Sequence, residues 1–301
     1  MGLETLSGVG TALVTPRLSD LSLDYGIFED LLERQYVSTD FTVVLGTTGE
    51  TEFLSPSQRI ELVEQTLNYY HNDRTGRNKP VIVGASAGNT SDAILRAQLA
   101  LKLGADALLI TPPPYVKPRQ DGIVNHYKAI SKEIGNAPIV VYNVPSRVGV
   151  NILPETLEQI ARDCNIIAVK EASGDLTQLK KYVDVSAGKF VVLSGDDATT
   201  YGAMVVGARG VISVLSNLVP EAMSEMISSF SRGELLKSQE IDQQLKLLYE
   251  GSMKYGNPVS IKAMMNICGY KVGEAHSSLG MVNSEELWVL GNILELVGNL
   301  R

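Results

Sequence analysis

The stretch Asn165-Ile166-Ile167-Ala168-Val169-Lys170-Glu171-Ala172-Ser173-Gly174 decides the fold. Its small and branched apolar residues, Ile166 to Val169, read as a strand buried on both faces, the habit of parallel sheets. That strand ends on Lys170. An ammonium set among apolar neighbours loses stability in its charged form, so its pKa falls. A neutral amine is the nucleophile that makes a Schiff base with a ketone. The same position also suits a lysine paired with Glu171 or another carboxylate at the strand mouth.

Outward from this strand, short apolar runs alternate with amphipathic stretches along most of the chain. The candidate strands are Gly8–Thr15, Thr42–Leu45, Val81–Gly84, Ala107–Ile110, Ile139–Tyr142, Ile166–Lys170, Phe190–Ser194 and Gly210–Ser213. Helical patterns between them include Ile27–Val37, Pro56–Tyr70, Ser91–Leu103, Ile123–Ile134 and Pro154–Ala161. Ser55-Pro56 sets a cap before a first-turn proline and Leu153-Pro154-Glu155 does likewise, while Gly104 and Gly207 sit where helices should stop. Eight strands, each followed by a helix, predict a (β/α)8 TIM barrel; an open doubly wound sheet fits a repeat of eight poorly. Past residue 233 the strands cease, and Glu234–Tyr255, Ser260–Cys268 and Ser284–Leu300 read as helices. The expected organisation is a barrel carrying the active site over 1–233 and a C-terminal helical domain over 234–301. No low-complexity linker divides them, and Arg74–Asn78 is the loosest loop.

With 301 residues, 44% of them hydrophobic, the chain can bury a large core. A formal net charge of −8 argues against an electrostatic grip on nucleic acid or an anionic membrane. A small anionic substrate stays open, because one local arginine can dominate its own cleft. Cys164 and Cys268 make only one possible pair, so a reduced, intracellular protein is the simpler expectation. The first residues show no signal-peptide pattern and no apolar run is long enough for a bilayer, which makes the cytoplasm the expected location.

In such a barrel, function gathers at the C-terminal ends of the strands. Strand 2 runs into Gly46-Thr47-Thr48-Gly49-Glu50, strand 4 into Thr111-Pro112-Pro113-Pro114-Tyr115, strand 5 into Tyr142-Asn143-Val144-Pro145-Ser146-Arg147. Strands 5 and 6 should be neighbours, which sets Tyr142 and Lys170 about 5 Å apart. Alternation puts Val140 with Tyr142 on one face, and Ala168 with Lys170. A phenol there can carry protons as a carbinolamine and imine form and decay; a tyrosine that merely packs its ring is the plainer alternative. The small polar turn Gly46-Thr47-Thr48-Gly49 offers N–H groups and hydroxyls to a carboxylate or a proton, or is an ordinary strand-to-helix turn. It lacks the lysine and spacing of a phosphate loop. Arg147, on the loop above strand 5, can hold a carboxylate bidentately or stand as a solvated surface arginine. His71, His126 and His276 show no ligand spacing, so no metal is expected. Met264-Met265 reads as helix core.

Together these motifs, with Leu13-Val14-Thr15-Pro16, Gly195-Asp196-Asp197 and Gly210-Val211-Ile212-Ser213-Val214, resemble the Schiff-base aldolases related to dihydrodipicolinate synthase and N-acetylneuraminate lyase. The resemblance covers essentially the whole chain, and the double threonine with Arg147 is similar to the synthase branch. It implies that Lys170 forms the Schiff base with pyruvate and that Tyr142 exchanges its protons, with Thr47 and Tyr115 completing a relay. Thr48 and the backbone of Ile212 would help hold pyruvate, and Arg147 the carboxylate of aspartate semialdehyde. No cofactor is implied, because the lysine is the electron sink. The tyrosine matching Tyr115 reaches a neighbouring subunit's site in that family, which implies a homodimer or homotetramer. The chain has one tyrosine where many synthases have two in succession; Tyr115 is aligned by its distance to Lys117-Pro118.

Two other functions fit the same residues less well. One is a pyruvate-dependent aldolase for a sugar acid, N-acetylneuraminate or a 2-keto-3-deoxy acid. The other is a non-catalytic binding or regulatory relative, against which Lys170, Tyr142, Thr47 and Thr48 all speak. Some synthases of that family are inhibited by L-lysine at a subunit interface. Here Pro56 and Pro114 offer such a site no hydrogen-bonding side chain, Arg59 would repel the effector's ammonium groups, and only Asp92 offers a favourable charge. Feedback by lysine is therefore expected to be weak or absent.

Overall fold

The computed structural model describes residues 6–71 and 78–298, so most of the loop at 74–78 lies outside the described residues. Eight parallel strands close a barrel in chain order: β1 (Gly8–Ala12), β2 (Phe41–Val44), β3 (Val81–Gly84), β4 (Ala107–Ile110), β5 (Ile139–Asn143), β6 (Ile166–Glu171), β7 (Val191–Ser194) and β8 (Gly210–Ser213). β3, β4 and β8 have the bounds read from the sequence. β1 stops at Ala12 rather than Thr15 because the Val14 N–H donates to the Asn217 side chain, 3.0 Å away, instead of to a strand.

The helices are α1 (Tyr25–Ser38), α2 (Pro56–His71), α3 (Thr90–Leu103), α4 (Gln120–Glu133), α5 (Pro145–Val148), α6 (Pro154–Asp163), α7 (Leu176–Ser186), α8 (Thr200–Val205) and α9 (Pro220–Ser231). After residue 233 come α10 (Leu235–Met253), α11 (Val259–Ile267) and α12 (Ser284–Val297), with no further strand among the described residues. Their ends follow local chemistry. Ser55 and Gln58 form a reciprocal cap at the start of α2, with Gln58 N to Ser55 Oγ at 3.2 Å and Ser55 N to Gln58 Oε1 at 2.9 Å. Asp24, Asn89 and Asp175 cap α1, α3 and α7 by accepting first-turn N–H groups, and α3 stops at Gly104. α7, α8 and α9 lie outside the amphipathic stretches read from the sequence.

The chain divides into two compact units, one of Met1–Ser7 with Pro80–Ile212, the other of Gly8–Lys79 with Ser213–Arg301. In the first, β3 to β8 pair in sequence, and α4 packs on α3 and α6, and α7 on α6 and α8. In the second, β1 pairs with β2, α10 packs on α9, and α11 and α12 pack on α10. Met264 and Met265 are fully buried core residues of α11. Both cysteines are free thiols.

One irregularity matters for chemistry. Ile139 of β5 pairs with Ile166, but Val140 pairs with Ala168, so β6 carries one extra residue there. Without that bulge Tyr142 would oppose Val169. With it, Tyr142 opposes Lys170 and Asn143 opposes Glu171. A slip of one residue exchanges the two faces of a strand, so the bulge sets which side chains meet.

Candidate active site

Lys170 and Tyr142 come from adjacent strands and are both buried, at 4% and 7% exposure. The Lys170 Nζ lies 4.5 Å from the centroid of the Tyr142 ring. A primary amine and a phenol thus lie side by side with little access to bulk water, an arrangement suited to imine formation with proton exchange. Gly195, just past β7, closes on the lysine stem, and its N–H donates to the Glu171 carbonyl at 2.6 Å. A Cβ at Gly195 would fall 2.9 Å from Lys170 Cγ, so only glycine lets the two strand ends approach this closely.

Behind the pair, on the opposite faces of the same strands, lies a buried polar network. The Glu171 carboxylate, 2% exposed, accepts from Ser173 N at 2.7 Å, Asn143 Nδ2 at 2.8 Å and Gln178 Nε2 at 3.3 Å. Asn143 also bonds Asn151, and its Oδ1 takes the Ile152 N–H at 2.9 Å. Burial first, then the charge of Glu171, pushes the Tyr182 phenol far up, and its hydroxyl donates to Ile152 O at 2.6 Å. The network ties the ends of β5 and β6 to α7, which restrains the strand termini that carry Tyr142 and Lys170.

Arg147 is exposed on α5, a single turn that begins at Pro145 and ends at Gly149 in the left-handed region. Tyr115 follows β4 with its ring 92% exposed and its backbone at φ +74°. Ile212 is fully buried in β8.

Thr47 and Thr48 sit on the turn after β2, and this turn is held tightly. Glu50 N donates to Thr47 O at 3.0 Å, and Thr15 Oγ1 to Gly49 O at 2.7 Å. Glu50, at φ +56°, buries its carboxylate against Lys262 Nζ at 3.0 Å, His276 N at 2.6 Å and Arg17 Nε at 3.7 Å. Lys262 is wholly buried on α11 and also donates to Thr15 O at 3.0 Å and Glu274 O at 2.7 Å. Burial pulls the Lys262 ammonium down, against the attraction of Glu50. Thr48, 2% exposed, receives a hydrogen bond on its hydroxyl from Asn257 Nδ2 at 3.0 Å.

The structure thus brings Lys170 and Tyr142 together, in the register that the extra residue of β6 sets. It sets Tyr115, Arg147, Ile212, Thr47 and Thr48 on or just beyond the C-terminal end of their own strands. Sequence reasoning missed Glu50, Lys262, Asn257, Asn143 and Gly195 as supporting residues. A lysine flanked by apolar residues in Val259-Ser260-Ile261-Lys262-Ala263-Met264-Met265 is the one local signal that could have marked any of them.

Comparison with known proteins places this geometry among relatives. The model of the dihydrodipicolinate synthetase family matches residues 5–296. The 4-hydroxy-tetrahydrodipicolinate synthase of Thermotoga neapolitana is 38% identical over 97% of this chain and 99% of its own. The solved dihydrodipicolinate synthase of Thermotoga maritima, 37% identical, aligns with a TM-score of 0.92 over 99% of this chain and 100% of that one. The chloride-inhibited dihydrodipicolinate synthase of Acinetobacter baumannii, solved in complex with pyruvate, is 33% identical with a TM-score of 0.92, covering 97% and 99% of the two chains.

Proposed function

Since the chain belongs to the dihydrodipicolinate synthetase family, we propose that it is a lyase condensing pyruvate with L-aspartate 4-semialdehyde to 4-hydroxy-tetrahydrodipicolinate, a step of lysine and diaminopimelate biosynthesis. The observation that carries this reading is the buried amine of Lys170 beside the Tyr142 ring, 4.5 Å from its centroid.

The Lys170 amine adds to the pyruvate ketone to give a carbinolamine. Loss of water, with Tyr142 delivering and recovering protons, leaves the protonated imine. The imine withdraws electrons, so the methyl group gives up a proton and becomes an enamine carbon. That carbon forms a bond to the aldehyde carbon of the semialdehyde, whose oxygen takes up a proton. The amine of the semialdehyde then displaces Lys170 by transimination, which closes the ring and restores the free lysine. Electrons balance within the two substrates, so no redox cofactor enters the cycle and the lysine is the only covalent group required. Thr47 and Tyr115 would relay the protons, Thr48 and the backbone of Ile212 would hold pyruvate, and Arg147 would hold the second carboxylate.

The barrel over 1–233 would carry the reaction, with 234–301 as a helical domain. The enzyme would work in the cytoplasm as a homodimer or homotetramer, without nucleic acid or membrane as partner; no helix among the described residues is long and apolar enough to cross a membrane.

Incubation with pyruvate and borohydride, followed by peptide mass mapping, tests the reading together with a product assay. The expected result is a reduced adduct on Lys170, its loss in Lys170→Ala with the fold retained, and cyclic product from the two substrates. An unlabelled Lys170, or full activity in Lys170→Ala, would end the proposal.

A further inference from the structure

The region that begins α11 meets the Thr47–Glu50 turn twice. Asn257, two residues before the helix, donates its amide to the Thr48 hydroxyl at 3.0 Å, and Lys262 holds the Glu50 carboxylate at 3.0 Å. The second contact fixes where the turn lies. The first has a chemical direction. A hydroxyl has a single hydrogen, and one that accepts from an amide keeps that hydrogen for donation elsewhere. Thr48 is 2% exposed, so its hydroxyl cannot exchange roles freely with bulk water. It is held as a donor, the polarity that an anionic oxygen requires.

We propose that Asn257 is a positioning residue that sets the Thr48 hydroxyl as a hydrogen-bond donor to the carboxylate of a small 2-oxo acid, with the Lys262–Glu50 pair holding the backbone of the turn beneath it. The inference rests on the reading that Thr48 contacts pyruvate and adds to it a residue outside the barrel strands. Aspartate at 257 has nearly the shape of asparagine but the opposite polarity. It would take the Thr48 hydrogen for itself and set a negative charge beside the incoming carboxylate.

Steady-state kinetics on the assembled full-length enzyme separate this role from a structural one. Asn257→Ala is expected to raise the pyruvate KM about tenfold while the KM for the semialdehyde stays within about twofold, a loss the size of one hydrogen bond. Asn257→Asp, though closer in shape, is expected to raise it about tenfold further. An asparagine that only fills space predicts the reverse order, with aspartate the milder change. If either variant folds poorly, a double-mutant cycle with Thr48→Val decides the matter. Once the hydroxyl is gone, Asn257→Ala should change the pyruvate KM no further, because it removes only the bond to that hydroxyl, whereas the charge of Asn257→Asp would still act. Asn257→Asp no worse than Asn257→Ala, equal rises for both substrates, or additive effects in the cycle would overturn the inference. Those outcomes with Lys170 still trapped by pyruvate would sink this inference alone; an untrapped wild-type Lys170 would sink the function with it.

Discussion

Arg147 stands exposed on the single turn α5, whose start is fixed by Pro145 and whose Arg147 N–H is bonded to Val144 O at 3.0 Å. If it holds the second carboxylate, Arg147→Ala should raise the KM for the semialdehyde far more than that for pyruvate. The loss of a charge-assisted contact is on the order of 1.5–3 kcal/mol, and equal effects on the two substrates would remove Arg147 from that role. His126 makes a different prediction, about stability. Burial pulls its imidazole down to about 4, opposed by the neighbouring backbone of Thr111. Its folded value lies below the unfolded one near 6.5, so below that pH the unfolded chain binds the proton more readily. The stability it contributes is fully present above about pH 6.5 and is lost as the pH falls through about 4, a change of about 3 kcal/mol. Urea titrations across that window should show the decline, and His126→Gln should flatten it; an unchanged slope in the variant would assign the acid limb elsewhere. At this scale the placements of Lys170 and Tyr142 were legible because they fall at the ends of recognisable strands, and that of Arg147 because it lies on the loop beyond one. Asn257 and Lys262 were not, since their partners Thr48 and Glu50 lie more than two hundred residues away in the chain, at separations of 209 and 212.

Strand ends, more than whole strands, determine what this molecule can do. β5 and β6 were legible from apolar runs, but the extra residue in β6 between Ile166 and Ala168 leaves no mark in composition or periodicity. It is a property of pairing, and the pairing exists only once both strands are in place. The same holds for Gly195. Its φ is not in the left-handed region, so no turn signal singles it out; only proximity does. A Cβ there would meet Ala172 Cβ at 2.7 Å, Lys170 Cγ at 2.9 Å and Glu171 O at 3.0 Å. Backbone at the third contact cannot yield easily, so the lysine stem must move. Gly195→Ala is therefore expected to slow the single-turnover formation of the pyruvate adduct at least tenfold, with an overpacking cost of about 1–3 kcal/mol in denaturant unfolding. Adduct formation at the wild-type rate would mean that the position of Lys170 is not set by its contact with β7.

At the scale of the molecule the eightfold repeat was legible, because every repeat writes its own apolar run, cap or glycine stop. The affiliation of the C-terminal helices was not: α10, α11 and α12 share a compact unit with β1, β2 and the first two helices, through contacts such as Lys262 to Thr15 O at 3.0 Å that no local pattern announces. The proposed assembly is a further step beyond the single chain. Tyr115 is held at φ +74° with its ring 92% exposed, an uncommon backbone state spent on presenting an aromatic side chain to the outside. If Tyr115 relays protons as proposed, a ring facing outward does so in a neighbouring copy. Lys170→Ala and Tyr115→Phe, each nearly inactive alone, should then complement when unfolded together and refolded. In a mixed dimer, the subunit that keeps Lys170 receives an intact Tyr115 from its partner, while the other site carries both defects. Random pairing makes half of the dimers mixed, each with one working site, so the mixture should recover roughly a quarter of wild-type activity. A mixture no more active than the average of the two variants would place Tyr115 outside any neighbour's site, and its exposed ring would then serve the surface of its own chain.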